Sequence, residues 1–393
     1  MNRLICLVVG WVTALNTFAQ QPLSETELVN LVLVNSPATR AADLSIRQNG
    51  QLLKGVYTIP NLDVFTDSPT GGFYTIGVNQ SFLLPVVYKR QYQLQKGQIG
   101  LAQIEKRITE TDIRYRVRSL YLALQYADAL SRQYQFQDSL YNQLQLIAGR
   151  QFAAGQIDYL SKTFVESQAG EVRNQLNQAR ADGQTIVRQL GRLAARPEAF
   201  QVILLSRNQP IINPLATDST AIGQNPTLAL LRQTEVLSEG QIGLERARSL
   251  PGVMVGYYNQ ASRETPAQLR FRFGLTLPVW FGQYRNRTVA AQTGLQLARQ
   301  RTSAQIQTLS VDLQQAQGDF VKFGQSLDYF ETTGLRQSDD LINTARRLFQ
   351  AGQNDYVSFL RTINDAYSIR LRYIETLRNY NQSLLTINYL TGL

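Results

Sequence analysis

The chain of 393 residues carries 39 Lys and Arg against 29 Asp and Glu, a formal net charge of +10, with no histidine and one cysteine. Without histidine it lacks the commonest general base, the commonest metal ligand and the side chain that titrates near neutral pH. No nucleophile elbow or paired-carboxylate motif replaces it, so the composition argues against an enzyme, and the scattered basic residues argue for solvated helix faces and not for a nucleic-acid surface.

Residues 1–19 read as a signal peptide, with Arg3 as the positive start, Leu4 to Leu15 as the apolar run and Thr17-Phe18-Ala19 as a small-residue cleavage site before Gln20. Cys6 lies inside it, so the exported chain has no thiol, disulfide or cysteine ligand. A lipid anchor on Cys6 is disfavoured, because Leu4-Ile5 precede it where a lipoprotein signal wants a small residue. No carboxylate cluster has metal-ligand spacing, and neither a cofactor nor a metal is expected. No run of about 20 apolar residues follows the signal, so a mature chain that spans a membrane must do so with β-strands closed into a barrel.

The chain then repeats itself. Phe152-Ala153-Ala154-Gly155-Gln156-Ile157-Asp158-Tyr159-Leu160 returns about 197 residues later as Phe349-Gln350-Ala351-Gly352-Gln353-Asn354-Asp355-Tyr356-Val357. Asn35-Ser36-Pro37 echoes in Gln224-Asn225-Pro226, Ile59-Pro60 in Leu250-Pro251, and Leu84-Pro85 in Leu277-Pro278. The spacing predicts a first repeat over 20–195, a proline-bearing linker over 196–223 and a second repeat over 224–393, each ordered as helix, strand pair, long helix, tight turn and shorter helix.

In the second repeat, Gly252 to Ala261 and Gln268 to Pro278 read as a hairpin around Ser262 to Pro266. Its later strand alternates, with Leu269, Phe271, Phe273, Leu275 and Leu277 on one face and Gln268, Arg270, Arg272, Gly274 and Thr276 on the other. In the first repeat Tyr74, Ile76, Val78 and Phe82 oppose Thr75, Gly77, Asn79 and Ser81, after a short strand near Leu62 to Thr66. A soluble sandwich strand alternates in the same way. The exported context, with Tyr257, Tyr258, Trp280, Phe281 and Tyr284 near strand ends as an interfacial belt, favours membrane strands. On that reading Gln268, Arg270, Arg272 and Thr276 line a barrel lumen and the apolar set faces lipid.

From about Val86 to Arg150, and again from about Gln283 to Gln350, the chain runs without proline, enough for helices on the order of 100 Å. The first carries two apolar stripes, one through Leu101, Ile104, Ile108, Tyr115, Leu122, Ala129 and Phe136, the other through Ile113, Val117, Leu120, Leu124, Ala127 and Tyr134. Two stripes mean neighbours on both sides, as in a closed ring of helices. The shorter helices fit end to end as columns matching the long ones. Their lengths suggest the pairs Tyr159–Ala195 with Pro226–Ser249, and Tyr356–Leu390 with Ser24–Val56, with the linker outside the wall at mid-height.

With these features in hand, the chain resembles the TolC-like outer-membrane factors, the exit ducts of tripartite efflux pumps and of type I secretion. The turns Phe-x-x-Gly155-x-x-x-Tyr159 and Phe-x-x-Gly352-x-x-x-Tyr356, the segments Ser167-Gln168-Ala169 and Asn364-Asp365-Ala366, and the strand-to-helix passages at Asn79 to Pro85 and Phe273 to Gly282 carry the likeness. Leu277 to Phe281 and Pro85 to Arg90 are most similar to members paired with heavy-metal-exporting pumps of the resistance-nodulation-division type. The resemblance implies a mainly α-helical chain with membrane β-structure: a homotrimer forming one 12-stranded outer-membrane barrel above a periplasmic α-barrel. It also implies a periplasmic adaptor and an inner-membrane pump as partners, with Gly155, Asp158, Tyr159, Gly352, Asp355 and Tyr356 at the adaptor-facing tips. Some members ring the entrance with carboxylates just after the second tip. Here Ser358 and Arg361 stand at those positions, so they are the entrance constriction candidates, and Asp158 and Asp355 are either a replacement ring or solvated helix caps. The implied function is a passive export duct for small solutes, metal cations or drugs. A type I secretion duct for proteins, and a periplasmic adaptor or helical scaffold without a barrel, are the alternatives.

Overall fold

In the computed structural model the chain is described over residues 23–67, 75–196, 200–210, 214, 221–259 and 270–392. The expected signal peptide, Tyr74, Gln268, Leu269 and the expected hairpin loop at Ser262 to Pro266 lie outside these residues.

The first repeat contains α1 (Glu25–Asn35), α2 (Pro37–Lys54), β1 (Asp63–Asp67), β2 (Thr75–Phe82), α3 (Pro85–Ala153) and α4 (Tyr159–Leu193). The second contains α5 (Pro226–Arg248), β3 (Gly252–Asn259), β4 (Phe271–Thr276), α6 (Phe281–Tyr329), α7 (Leu335–Gln350) and α8 (Tyr356–Thr391). The echoed Ser36-Pro37 and Asn225-Pro226 start α2 and α5 in the same way. The Ser or Asn side chain accepts a backbone N–H of the first turn, and proline fills the first helical position, where no N–H is needed. Ser24 and Glu27 close a reciprocal capping box at α1.

The helix α3 runs unbroken for 69 residues, about 100 Å. Its two stripes do meet two neighbours. Val117 and Leu124 pack with Leu28, Val29, Val32 and Leu190 of α1 and α4, while Tyr115 stacks on Tyr389 and Phe136 meets Tyr367 of α8. The second long helix departs from the expectation of one continuous rod: a π-helical turn, Phe330–Gly334, separates α6 from α7.

The shorter helices do stack end to end, but in different pairs from those their lengths suggested. Asn35 Nδ2 donates to Ala194 O at 2.9 Å, which joins α4 to α1. Asn225 Nδ2 donates to Leu390 O at 3.0 Å, and Gly392, at φ +82°, lies so close that a Cβ there would sit 2.6 Å from Gln224 O, which joins α8 to α5. Length alone could not separate the two pairings, because the helices are nearly equal; buried side chains decide it, with Ile222 and Leu228 packed on Ile387 and Leu390. Each repeat therefore closes on itself.

The linker crosses the helices as a belt. Tyr121 Oη donates to Leu23 O (2.9 Å) and accepts from Ile203 N (3.1 Å), and Gln125 Nε2 donates to Ile203 O at 2.9 Å on α3. Asn381 of α8, 1% exposed, holds Ser206 O and Asn208 N at 2.7 and 3.0 Å. On α6, Gln317 Nε2 donates to Pro214 O at 3.0 Å.

Candidate functional site: a two-faced sheet and paired tip turns

The four strands form one antiparallel sheet in the order β1-β2-β3-β4. Its register sorts the side chains by face, because directly opposed residues point the same way. One face carries Val64, Val78, Tyr257 and Phe271 in one row, then Val255 with Phe273, and Phe82, Val253 and Leu275 in the next. Val78 and Val255 are half-buried and the others exposed: Phe273 is 80% and Leu275 70% accessible. The other face carries Asp63, Asn79, Gly256 and Arg272 in register, with Ser81, Gly252 and Thr276 beyond.

Arg272 and Thr276 thus stand on the polar face, and Arg270 hydrogen-bonds Asn259 at 3.1 Å at the strand ends. On this face the Arg272 guanidinium lies 3.7 Å over the Tyr258 ring, which meets Phe65 edge-on at 4.8 Å. Gly77 makes room for that stack, since a Cβ there would come within 2.2 Å of the Phe65 ring. Tyr258 therefore does not belong to an outward aromatic belt. Tyr257, Trp280 and Phe281 remain exposed near the apolar face and the strand ends. The sequence predicts both tyrosines in the interfacial belt; as neighbours on one strand they point to opposite faces, and the pairing shows which face each takes.

At the far end of the helices the two tip turns are near copies. Gly155 and Gly352 both adopt φ +71°, a left-handed conformation that glycine takes without a Cβ clash. The N–H groups of Gly155 and Gln156 satisfy Phe152 O and Gln151 O, and those of Gly352 and Gln353 satisfy Phe349 O and Leu348 O, so both helices stop with the same paired bonds. Asp158 and Asp355 then cap α4 and α8, accepting Ser161 N at 2.8 Å and Ser358 N at 2.7 Å. The Ser161 hydroxyl and then its N–H hold Asp158, and the Ser358 N–H holds Asp355, below the usual carboxylate range, so both are charged at neutral pH.

The tips differ in what they touch. Tyr356 is buried against Phe349 and reaches Gln151 Oε1 across to the first turn, whereas Tyr159 is 67% exposed. Ser358 is tied into the Asp355 cap, and Arg361 is exposed. Higher up, Gln168 and Asn364, from the two echoed segments, hydrogen-bond each other at 2.9 Å, and Tyr141 Oη donates to Asn364. Ala169 and Ala366 are fully buried beside them, small enough to let the hairpins approach.

On α8, about 100° per residue puts Ser358, Arg361, Asp365 and Gln382 on one side and the belt-facing Asn381 on the other. The non-belt side opens on a groove of about 530 Å³ between α3, α6 and α8, lined by Tyr115, Tyr389 and Asp312. Tyr389 Oη donates to Asp112 at 2.8 Å; burial first, then this bond, raises the phenol to about 12. Among the described residues no group of His, Cys, Asp and Glu is placed to hold a metal ion.

Residues 219–393, the second repeat, match the model of the outer membrane efflux protein family. That part of the chain is similar to an outer membrane efflux protein. The fold of the whole chain is shared with solved channels at low sequence identity. CusC, whose transmembrane channel formation has been described, superposes with a TM-score of 0.79 at 15% identity over 95% of this chain and 92% of its own. The Campylobacter jejuni CmeC outer membrane channel gives 0.77 at 13% identity over 94% and 85%. The Neisseria gonorrhoeae MtrE outer membrane channel, solved in its open state, gives 0.76 at 13% over 94% and 88%. No curated relative matches this chain by sequence.

Sequence reasoning missed three features of this chain: the Tyr356–Gln151 bridge, the Arg272–Tyr258 stack and the π-helical turn. The last left a trace within a surplus of four residues from Leu-Pro pair to tip glycine, since the long helix itself is 69 residues in the first repeat and 70 in the second.

Proposed function

We propose that this outer-membrane efflux duct works as a homotrimer that gives small solutes a passive, water-filled path from the periplasm across the outer membrane. The observation that carries the reading is the two-faced sheet. One face is apolar and exposed, as lipid requires, and the other is polar, as a lumen requires. Four strands cannot close on themselves, and the outer edges of β1 and β4 would leave backbone groups unpaired in lipid. Three copies supply 12 strands and abolish the edges. Arg270, Arg272 and Thr276 then line the barrel, with Gln268 assigned there from its alternation alone.

The belt, running over one side of α3, α8 and α6, is the outside of the helical wall. The opposite side, with the Tyr115–Tyr389 groove, Ser358 and Arg361, faces the channel, and Ser358 and Arg361 form the entrance constriction. The tip turns around Gly155, Asp158, Tyr159, Gly352, Asp355 and Tyr356 meet a periplasmic adaptor, and an inner-membrane pump supplies the energy. Metal cations or drugs are the cargo class, with the likeness to CusC in fold and the passage Leu277 to Phe281 behind the metal reading.

The test is conduction by the purified full-length protein in a planar bilayer, with fractionation of cells. Stable ohmic steps in KCl and recovery in the outer membrane are expected; a soluble periplasmic monomer without conductance overturns the reading. Growth of a deletion strain across metals and drugs then assigns the cargo.

A further inference from the structure

Between its Leu-Pro pair and its tip glycine the second repeat is four residues longer than the first, Pro278 to Gly352 against Pro85 to Gly155. Three of the four precede α6, and the remaining one lies within the long helix, 70 residues against 69. Leu335 N–H reaches back five residues to Phe330 O, the mark of a π-bulge, which forms when one residue is added to an α-helix and keeps both flanks in phase. The bulge disturbs the backbone ladder, and Thr332 Oγ1 donates to Asp328 O at 2.6 Å beside it. Gly334 permits the tight turn, because a Cβ there would sit 2.9 Å from the Phe330 ring. The corresponding stretch of α3 is uninterrupted α-helix.

The belt clamps this spot with charge. Arg207 Nη1 lies 2.8 Å from Asp328 Oδ1, two residues before the bulge, and 3.2 Å from Glu331 Oε2, inside it, while its guanidinium rests 5.0 Å from the Tyr380 ring centre of α8. Asn381 fixes the belt on both sides of Arg207. Among the described residues, the belt's hydrogen bonds to Tyr121 and Gln125 of α3 are neutral. Partly exposed ion pairs are of modest strength, which suits a contact that must release.

We propose that the π-bulge at Phe330–Gly334 is the pivot of the duct's gate, and that Arg207 is the positioning residue that holds it shut. When Arg207 leaves Asp328 and Glu331, α7 bends away from α6 and carries the second tip turn with it, while α3, which has no bulge, keeps the first tip in place. This rests on the duct reading above.

The test uses the full-length protein in planar bilayers in KCl. Arg207→Ala should raise single-channel conductance several-fold, Arg207→Lys should restore most of the resting value, and Arg173→Ala, which breaks an ion pair in the first hairpin, should leave it unchanged. Deleting Thr332 removes the extra residue without changing the phase of α7, and should return Arg207→Ala channels to the wild-type step. Assembled Arg207→Ala channels with wild-type conductance, or a rise that survives the deletion, overturn the proposal. Hydrogen exchange on the unmutated protein gives an independent arm: residues 330–334 should exchange faster than 133–137, and equal protection overturns the pivot. A wild-type protein that does not conduct at all defeats the duct reading instead, and leaves the exchange comparison to decide the pivot.

Discussion

Tyr356 of the second tip turn donates its phenolic hydrogen to Gln151 Oε1, at 2.8 Å, four residues before Gly155 in the first. The two ends of the duplicated unit are thereby bonded to each other, and by only one of the two copies. Tyr356→Phe should cost about 0.5–1.5 kcal/mol, the net worth of one hydrogen bond. Tyr159→Phe, at the exposed equivalent, should be silent. Equal effects of the two changes on denaturant midpoints would contradict the asymmetry.

Left-handed residues make a second comparison. Gly155→Ala and Gly352→Ala meet no neighbouring atom, so each should cost only the backbone term, about 1 kcal/mol. At the end of α4 the same stop is made by Ala195 at φ 54°, with Arg196 N bonded to Gly191 O. Ala195→Gly should therefore stabilise the protein by about 0.5–1 kcal/mol. Thermal melts of the three variants check the signs, and a loss at Ala195→Gly would refute the account.

The sheet predicts opposite tolerances at neighbouring positions. Phe273→Arg places a charge on the lipid side and should cost about 2–4 kcal/mol near mid-membrane, enough to impair barrel assembly. Arg272→Gln, on the other face, should leave assembly intact and alter ion selectivity. Heat-modifiable gel mobility reads assembly, and reversal potentials in a salt gradient read selectivity. If both variants fail to assemble, the inside-out assignment is wrong.

Acid should loosen the tips. The caps hold Asp158 and Asp355 below their ordinary value of 3.8, Asp158 through the Ser161 hydroxyl and N–H, and Asp355 through the Ser358 N–H. A depressed folded value means stability that is complete above 3.8 and is lost as pH falls through the depressed value. Asparagine caps without titrating, so the pair Asp158→Asn and Asp355→Asn should flatten this part of the curve of melting temperature against pH. An unchanged acid limb would show that other carboxylates carry it.

Much of this architecture was legible because repetition, period and punctuation agree. Prolines and caps marked the starts of α2, α3 and α5, Gly155 and Gly352 marked the turns, and two stripes on α3 announced neighbours on both sides. What stayed hidden depends on contacts between distant residues. The column pairing turns on Asn35 with Ala194 and Asn225 with Leu390, and no local pattern encodes which of two similar helices docks where. Tyr257 and Tyr258 looked alike until the register put one against Phe271 and the other under Arg272. The bulge was hidden within a surplus of four residues between the second Leu-Pro pair and its tip glycine, three of which precede α6.

The end-to-end joints at Asn35 and Asn225 bear on how such a wall arose. Because α4 returns to α1 and α8 to α5, either half owns a full pair of columns and two strands, and the belt is a tether rather than a structural splice. An ancestor of half this length could have built the same tube from six identical subunits. Fusing two genes would then have freed one hairpin in each pair to acquire an inserted residue while the other kept its straight helix.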